Sequence, residues 1–323
     1  MLARRAQRGI ALVTAVMIVA IAAAIAAQIA FAHQIWFRQM ENVADRDATD
    51  WLRRGALHWA SLALLDDAAQ NATDHLGESW AMGLPTLPVE GGTIKVSIED
   101  AEARFNLNGV WRNNAQSPQD IAVFTRLLQT LRLDPALVNS LIDWIDPNDQ
   151  ALAGGAEDVD YLSLNPPYRA ANRPLASVDE LRLIRGFDAK TVAALAPYVT
   201  VLPPAAVFEI NVNTASPVML AALTGMDLSD AERIAAKRLL KPFGSVNEFT
   251  DNLVRGTPTA GMSVKSDYFL VTIDTSIGRH ERRSEALLQR KAQSKTTDWI
   301  WHRPQPLIGS PSSIGSDEPD TSP

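Results

Sequence analysis

Apolar residues follow three different rhythms along this chain. From Ile10 to Ala32 they are nearly continuous, broken only by Thr14 and Gln28. A helix over that run reaches about 35 Å at roughly 1.5 Å per residue, enough for a hydrocarbon core of roughly 30 Å. No Pro or Gly occurs between Ile10 and Arg54. Beyond the run, Met40, Val43, Ala44, Trp51, Leu52, Ala56, Trp59, Ala63 and Leu64 recur at three- and four-residue steps. That spacing marks an amphipathic helix. One continuous helix is therefore predicted from about residue 10 to 70, fraying near Asn71. The apolar face of its second half needs a sheet to cover it.

The period then changes to two. Ile94, Val96 and Ile98 alternate along Thr93 to Ile98 as one face of a strand. The segment Arg104 to Leu107 reads as its partner. Helical spacing takes over at Pro118, where Ile121, Phe124, Leu127, Leu128 and Leu131 form a stripe. Asp134 before Pro135 signals a second helix start, with Leu137, Val138, Leu141, Ile142 and Ile145 facing inward. Short helices continue to about residue 255. Strand character returns at Tyr268 to Thr275, turns at Ser276 to Arg279, and resumes at Glu281 to Gln289 and Asp298 to His302. From Pro304 the tail is rich in Pro, Ser, Gly and Asp and is expected to be disordered.

The predicted fold is α+β: a long N-terminal helix on an antiparallel sheet, with a large all-α insertion. The expected division is 1–9 leader, 10–32 membrane stem, 33–109 and 256–303 α/β domain, 110–255 inserted α-domain and 304–323 tail.

Composition sharpens this outline. The 323 residues include no Cys and carry a net charge of −7. Disulfides, Cys-ligated zinc and thiol catalysis are thereby excluded. The acidic balance argues against nucleic acid as a partner, since duplex binding needs a Lys/Arg-rich face. Arg4, Arg5 and Arg8 precede the uncharged run. By the positive-inside rule they keep the N-terminus cytoplasmic and send the remainder across the membrane. A cleaved secretory signal is the rival reading, but its apolar stretch is usually about 7–15 residues.

Between Arg132 and Arg169 there is no Lys or Arg, while Asp134, Asp143, Asp146, Asp149, Glu157, Asp158 and Asp160 fall inside that interval. Such a run can be a plain solvated face. The acids cluster at a helix end and a Gly-containing turn, with no His or Cys nearby. A hard, oxygen-seeking ion suits that set, and calcium suits a large irregular loop better than magnesium. The candidate ligands are Asp146, Asn148, Asp149, Glu157 and Asp158, with Tyr161 closing the loop. Asp143 and Asp160 stand behind them. The expected role is structural.

Two stretches, Leu175 to Tyr198 and Ile210 to Ile234, read as helix, Gly turn, helix. They are similar to helix-hairpin-helix modules, and the second resembles the repeat of DNA-uptake proteins. In that motif a Gly-hydrophobic-Gly turn cradles a phosphate with backbone N–H groups. Asp188 and Asp227 occupy the second glycine position here. A carboxylate repels phosphate and can cap the following helix instead. A membrane-anchored DNA-binding protein is therefore the alternative reading, and these aspartates weigh against it. The sequence holds no Walker A, His-Glu-x-x-His or Gly-x-Ser-x-Gly motif, so no enzyme is expected.

A basic leader, Arg8-Gly9, and an immediate apolar run resemble a type IV prepilin signal. The resemblance implies cleavage between Gly9 and Ile10 by a prepilin peptidase, with methylation of the new N-terminus. Side-chain charge then becomes −10, from 27 basic and 37 acidic residues once three arginines leave. Prepilins carry Glu at the fifth mature position, where this chain has Thr14. A buried unpaired charge is costly in lipid, so that Glu needs the amine of the subunit ahead. A subunit with nothing ahead of it has no such need, which marks Thr14 as an assembly residue of a fibre tip.

Further segments extend the resemblance to nearly the whole ordered chain. They are Gln7 to Leu12, Arg104 to Asn108, Leu141 to Pro147, Gly155 to Asp158, Pro166 to Pro174, Ser177 to Leu181 and Ile210 to Thr214. Together they are similar to the K-class minor pseudopilins of type II secretion systems. The resemblance implies a pilin-like domain with an inserted α-domain, bound calcium, and a tip position on a short periplasmic pseudopilus. It also implies assembly with I-class and J-class minor pseudopilins, contact with other pseudopilins and the inner-membrane secretion platform, and a single-pass place in the bacterial inner membrane with the C-terminal domain periplasmic.

Overall fold

The computed structural model describes residues 3–204, 208–253, 257, 260–278 and 280–305, with only the helical course given for 3–11. Helix α1 (Ala3–Gln70) is one unbroken helix of 68 residues. The absence of Pro and Gly up to Arg54 permits this length, and Gly55 has open space around its Cα. From Leu12 to Phe31 its side chains are exposed. Farther along, Ala56, Leu57, Ala60 and Leu64 are buried. The helix ends as predicted, with Asn71 N donating to Asp67 O at 2.8 Å.

After α2 (Ser79–Met82) come β1 (Leu87–Val89) and β2 (Gly92–Asp100). The chain then leaves the sheet until β9 (Tyr268–Ile277), β10 (His280–Lys291) and β11 (Thr296–Gln305). These five strands form one antiparallel sheet in the order β1-β2-β9-β10-β11. Asp100 at the end of β2 pairs with Phe269 at the start of β9, so the helical segment departs from and returns to the same end of the sheet. Leu57 and Leu64 of α1 pack with Trp80, Val96, Ile98, Phe269, Ile273 and Leu288. This is the cover that the amphipathic half of α1 required. A side chain at Gly92 would place its Cβ 1.7 Å from Ser276 O, so only glycine permits this approach of β2 to β9.

The intervening segment holds β3 (Phe105–Asn106), β4 (Trp111–Arg112), β5 (Ala115–Gln116), α3 (Pro118–Thr130), α4 (Leu137–Ile145) and α5 (Asp158–Leu162). It continues with α6 (Ala189–Leu195), β6 (Val199–Thr200), β7 (Ile210–Asn211), α7 (Pro217–Thr224), α8 (Leu228–Leu240), α9 (Val246–Thr250) and β8 (Met262–Ser263). A separate apolar cluster from Phe105 to Val264 unites them. Arg126 of α3 closes the C-terminal end of α7, donating from Nε to Ala222 O at 2.6 Å and from Nη2 to Leu223 O at 3.0 Å.

Two expectations are corrected. Arg104 to Leu107 does not pair with β2. Phe105 and Asn106 run parallel to β6 instead. Asp100 accepts from Glu102 N at 2.8 Å and starts a 3-10 turn that carries the chain off the sheet. Phe105 then buries against Phe124, ring centroids 5.2 Å apart. The second correction concerns the tail: Pro304 and Gln305 belong to β11, where Pro304 lies opposite Ser284. A proline is tolerated on such an edge strand, where one side needs no donor. The rest of the expected disordered tail, 306–323, lies outside the described residues.

Candidate cation loop and assembly stem

The exposed half of α1 carries no acidic residue before Glu41. Thr14 sits on this part of the helix, and Trp36 and Phe37 are each 71% exposed farther along. Gly9 and Ile10 lie within its helical course.

The acidic loop follows α4. Six of the nine residues of α4 are apolar, which draws the helix into the core and takes its acids inward with it. Asp143 and Asp146 are fully buried, and so is Glu157 at the start of α5. Asp143 accepts from Leu152 N through both oxygens, at 3.2 and 3.1 Å. Asp146 Oδ1 accepts from Asn148 N at 3.3 Å, and Asn148 Oδ1 accepts from Gln150 N at 2.8 Å. Glu157 differs from both: its two carboxylate oxygens are buried with no hydrogen-bond partner. Burial pushes its carboxyl up to about 7, and Asp143, Asp146, Asp149 and Asp158 add repulsion. Burial likewise pushes Asp143 up to about 6. A carboxylate without donors in a field of carboxylates is the arrangement a hard cation relieves.

The other predicted ligands separate into two kinds. Asp149 is exposed on the loop. Asp158 faces Arg169 Nη1 at 2.6 Å and Ala170 N at 3.0 Å. Asp160 pairs with Arg185 Nη1 at 3.0 Å. Tyr161 does not point its hydroxyl at the carboxylates. It accepts from Arg185 N at 3.3 Å, while its ring packs on Trp144 and Tyr168. That aromatic contact was invisible in the sequence, since the three rings come from three separate segments. Asp143, ranked second on spacing, is among the most deeply buried acids here.

The hairpin turns also become concrete. Asp188 caps α6, accepting from Thr191 N at 2.7 Å. The helix preceding it is a 3-10 turn, Val178–Leu183. Asp227 occupies the same position before α8 but makes no side-chain cap bond; its backbone O accepts from Asp230 N and Ala231 N. Gly186 and Gly225 both have left-handed backbones, with φ of 88° and 78°.

The Ile210 to Thr214 segment proves structural in a way its sequence did not announce. Asn211 Nδ2 donates to Asp74 O at 3.1 Å, Asp100 Oδ2 at 3.1 Å and Ser266 Oγ at 2.9 Å. Thr214 Oγ1 and Ser266 Oγ also donate to Asp100 Oδ2. Arg290 enters the same region from β10, with Asp67 and Asp74. Among the described residues, the acids that bring one oxygen each within 4.8 Å of one another are Asp67, Asp74 and Glu78, not the loop acids. An arginine late in a strand and acids near a helix end gave no spacing signal.

A long helix with a bare apolar N-terminal half, sheet cover on its second half and a helical segment set between sheet strands defines a pilin-like subunit whose N-terminal helix fits a membrane anchor. Residues 103–204 and 210–265 match the type II secretion system protein K family. The chain is 36% identical to type II secretion system protein K of Pseudomonas aeruginosa, over 90% of this chain and 91% of that one. It is 32% identical to the Klebsiella pneumoniae protein of the same name, over 89% and 94%. The fold matches a chain of the GspK–GspI–GspJ complex from the type 2 secretion system of enterotoxigenic Escherichia coli. The TM-score is 0.75 at 27% identity, covering 83% of this chain and 99% of that one. The chain belongs to the type II secretion system protein K family and is a minor pseudopilin. The DNA-uptake alternative is not where these likenesses fall.

Proposed function

We propose that this subunit caps and primes a short periplasmic pseudopilus, assembled with I-class and J-class minor pseudopilins. The observation that carries the reading is the likeness, over nearly the whole of the other chain, to a structure solved as the GspK–GspI–GspJ complex. The acid-free stem with Thr14 exposed agrees with a subunit that has no neighbour ahead of it. Prepilin peptidase cuts between Gly9 and Ile10, the new N-terminus is methylated, and the stem rests in the inner membrane with its C-terminal part in the periplasm. The segment expected over 110–255 acts as an inserted α-domain whose core takes in Phe105 to Val264. The protein acts by assembly with other pseudopilins and the secretion platform, not by catalysis.

The acidic loop fits a structural calcium ion, because Glu157 offers two buried oxygens that nothing else engages. Asp146, Asn148 and Asp149 complete the oxygen set, with Asp143 beside them. Asp158 has to leave Arg169 to join, and Tyr161 supports the loop through its ring. When bound, the ion neutralises the crowded carboxylates and stabilises the folded state by mass action. Co-expression of the full chain with I-class and J-class minor pseudopilins tests the assembly. Recovery of a stable trio in detergent is the expected result, and a strictly monomeric chain would overturn it. Calcium against chelator in a melting experiment tests the loop; no shift in Tm would end that part of the reading.

A further inference from the structure

The end of α1 holds a second concentration of buried negative charge, distinct from the acidic loop. Asp67, Asp74 and Glu78 are 6%, 2% and 6% exposed. One carboxylate oxygen from each lies within 4.8 Å of the others. Arg290 is the buried cation among them. Its Nη1 lies 3.2 Å from Asp67 Oδ2 and its Nη2 lies 2.6 Å from both Asp74 oxygens, with Leu64 O and Ser266 O as further acceptors.

That arginine does not reach Glu78. Glu78 Oε2 accepts from Trp80 Nε1 at 2.7 Å and from His75 N at 3.1 Å. Glu78 Oε1 is buried and has no hydrogen-bond partner. His75 Nε2 stands 3.5 Å from it, outside hydrogen-bonding geometry. Asp67 Oδ1 takes one bond, from Asn71 Nδ2 at 2.7 Å, which leaves it a further lone pair. Three carboxylates against one guanidinium leave two negative charges without a buried partner. Burial, and after it repulsion between the acids, raises the Asp67 and Glu78 carboxyls.

We propose that Asp67, Asp74 and Glu78 form a second cation site, for a hard divalent ion of the calcium class, which ties the last turn of α1 to the 71–78 connection beside Arg290 of the sheet. An all-oxygen donor set selects such an ion over a softer transition metal. One divalent ion offsets negative charge that Arg290 leaves, with buried Asp100 adding to that charge from the far side of Ser266. The site joins four parts of the chain: the last turn of α1, the 71–78 connection, the Ser266 loop and β10. An ion there stiffens the joint between stem and periplasmic body.

The test uses the full chain in detergent, stripped by chelator and then dialysed against calcium, with bound ions counted. The Glu157→Gln variant disables the acidic loop and is expected to retain one calcium per chain. Glu78→Gln is expected to bind one fewer than the unsubstituted chain. Terbium provides a second readout, because Trp80 touches Glu78 and can sensitise its emission. In the Glu157→Gln background that emission is expected to persist and to fall several-fold with Trp80→Phe, which keeps every carboxylate even if Glu78→Gln fails to fold. An ion count unchanged by Glu78→Gln, or a Glu157→Gln chain that binds no calcium and gives no sensitised emission, would overturn the site. Failure of the acidic-loop reading looks different: the unsubstituted chain and Glu157→Gln then bind equally, and Glu78→Gln binds none.

Discussion

Arg290 and Asp74 are 216 residues apart in sequence, yet the Arg290 Nη2 lies 2.6 Å from both oxygens of the Asp74 carboxylate. The same guanidinium reaches Asp67 and lies over the Phe269 ring, 4.8 Å from its centroid. Removing one partner of a buried pair leaves the other charge uncompensated, a loss of about 3–5 kcal/mol. Arg290→Met is therefore expected to destabilise the chain by that order, measured by urea unfolding in detergent. Replacing Arg233, an exposed arginine on α8, is expected to change little by comparison.

Glu102 sets a pH dependence. Its carboxyl accepts from Asp267 N and Tyr268 N. Burial, and then repulsion from Asp100, pushes it from 4.5 up to about 8. A carboxyl raised on folding holds its proton more tightly in the folded chain. Its stabilising contribution is complete below about pH 4.5 and is lost as pH rises toward 8. Unfolding free energy measured across that window should fall with pH, and Glu102→Gln should flatten the slope.

Asn108 ties the start of the helical segment to two distant strands of chain. Its side chain accepts from Leu175 N at 2.8 Å and donates to Leu175 O at 3.2 Å and Leu202 O at 3.1 Å. All of these groups are buried, so truncation strands them. Asn108→Ala is expected to cost roughly 2–3 kcal/mol, read from the denaturation midpoint.

Gly155 is held by its neighbour. A Cβ there would stand 1.8 Å from Asp143 Oδ2. Gly155→Ala must push Asp143 away from Leu152 N, at a cost of about 1–3 kcal/mol. The melting temperature should drop, and the rise in Tm expected from the proposed loop calcium should shrink with it.

Thr14 makes the tip position testable in cells. A tip subunit has no subunit ahead, so no contact between subunits depends on this position, and a lone Glu there can take up a proton and stay neutral. Thr14→Glu is expected to leave secretion intact in a complementation assay. A large secretion defect would count against the tip position.

The apolar pattern alone determined α1, because a run without Pro or Gly and with a constant three- to four-residue spacing has one stable local solution. It also determined the period-two strands and the presence of a helical stretch between them, since these depend on neighbours a few residues away. Charge counting located the acidic loop, and Asp143, Asp146 and Glu157 are buried there. Only the tertiary structure decided that Asp158 faces Arg169, that Tyr161 packs on Trp144 and Tyr168, and that Phe105 joins β6 instead of β2. It alone assembled Asp67, Asp74, Glu78 and Arg290. Those partners are set by where the sheet ends meet the returning helical segment, and side chains separated by a hundred residues or more carry no shared periodicity from which a contact could be read.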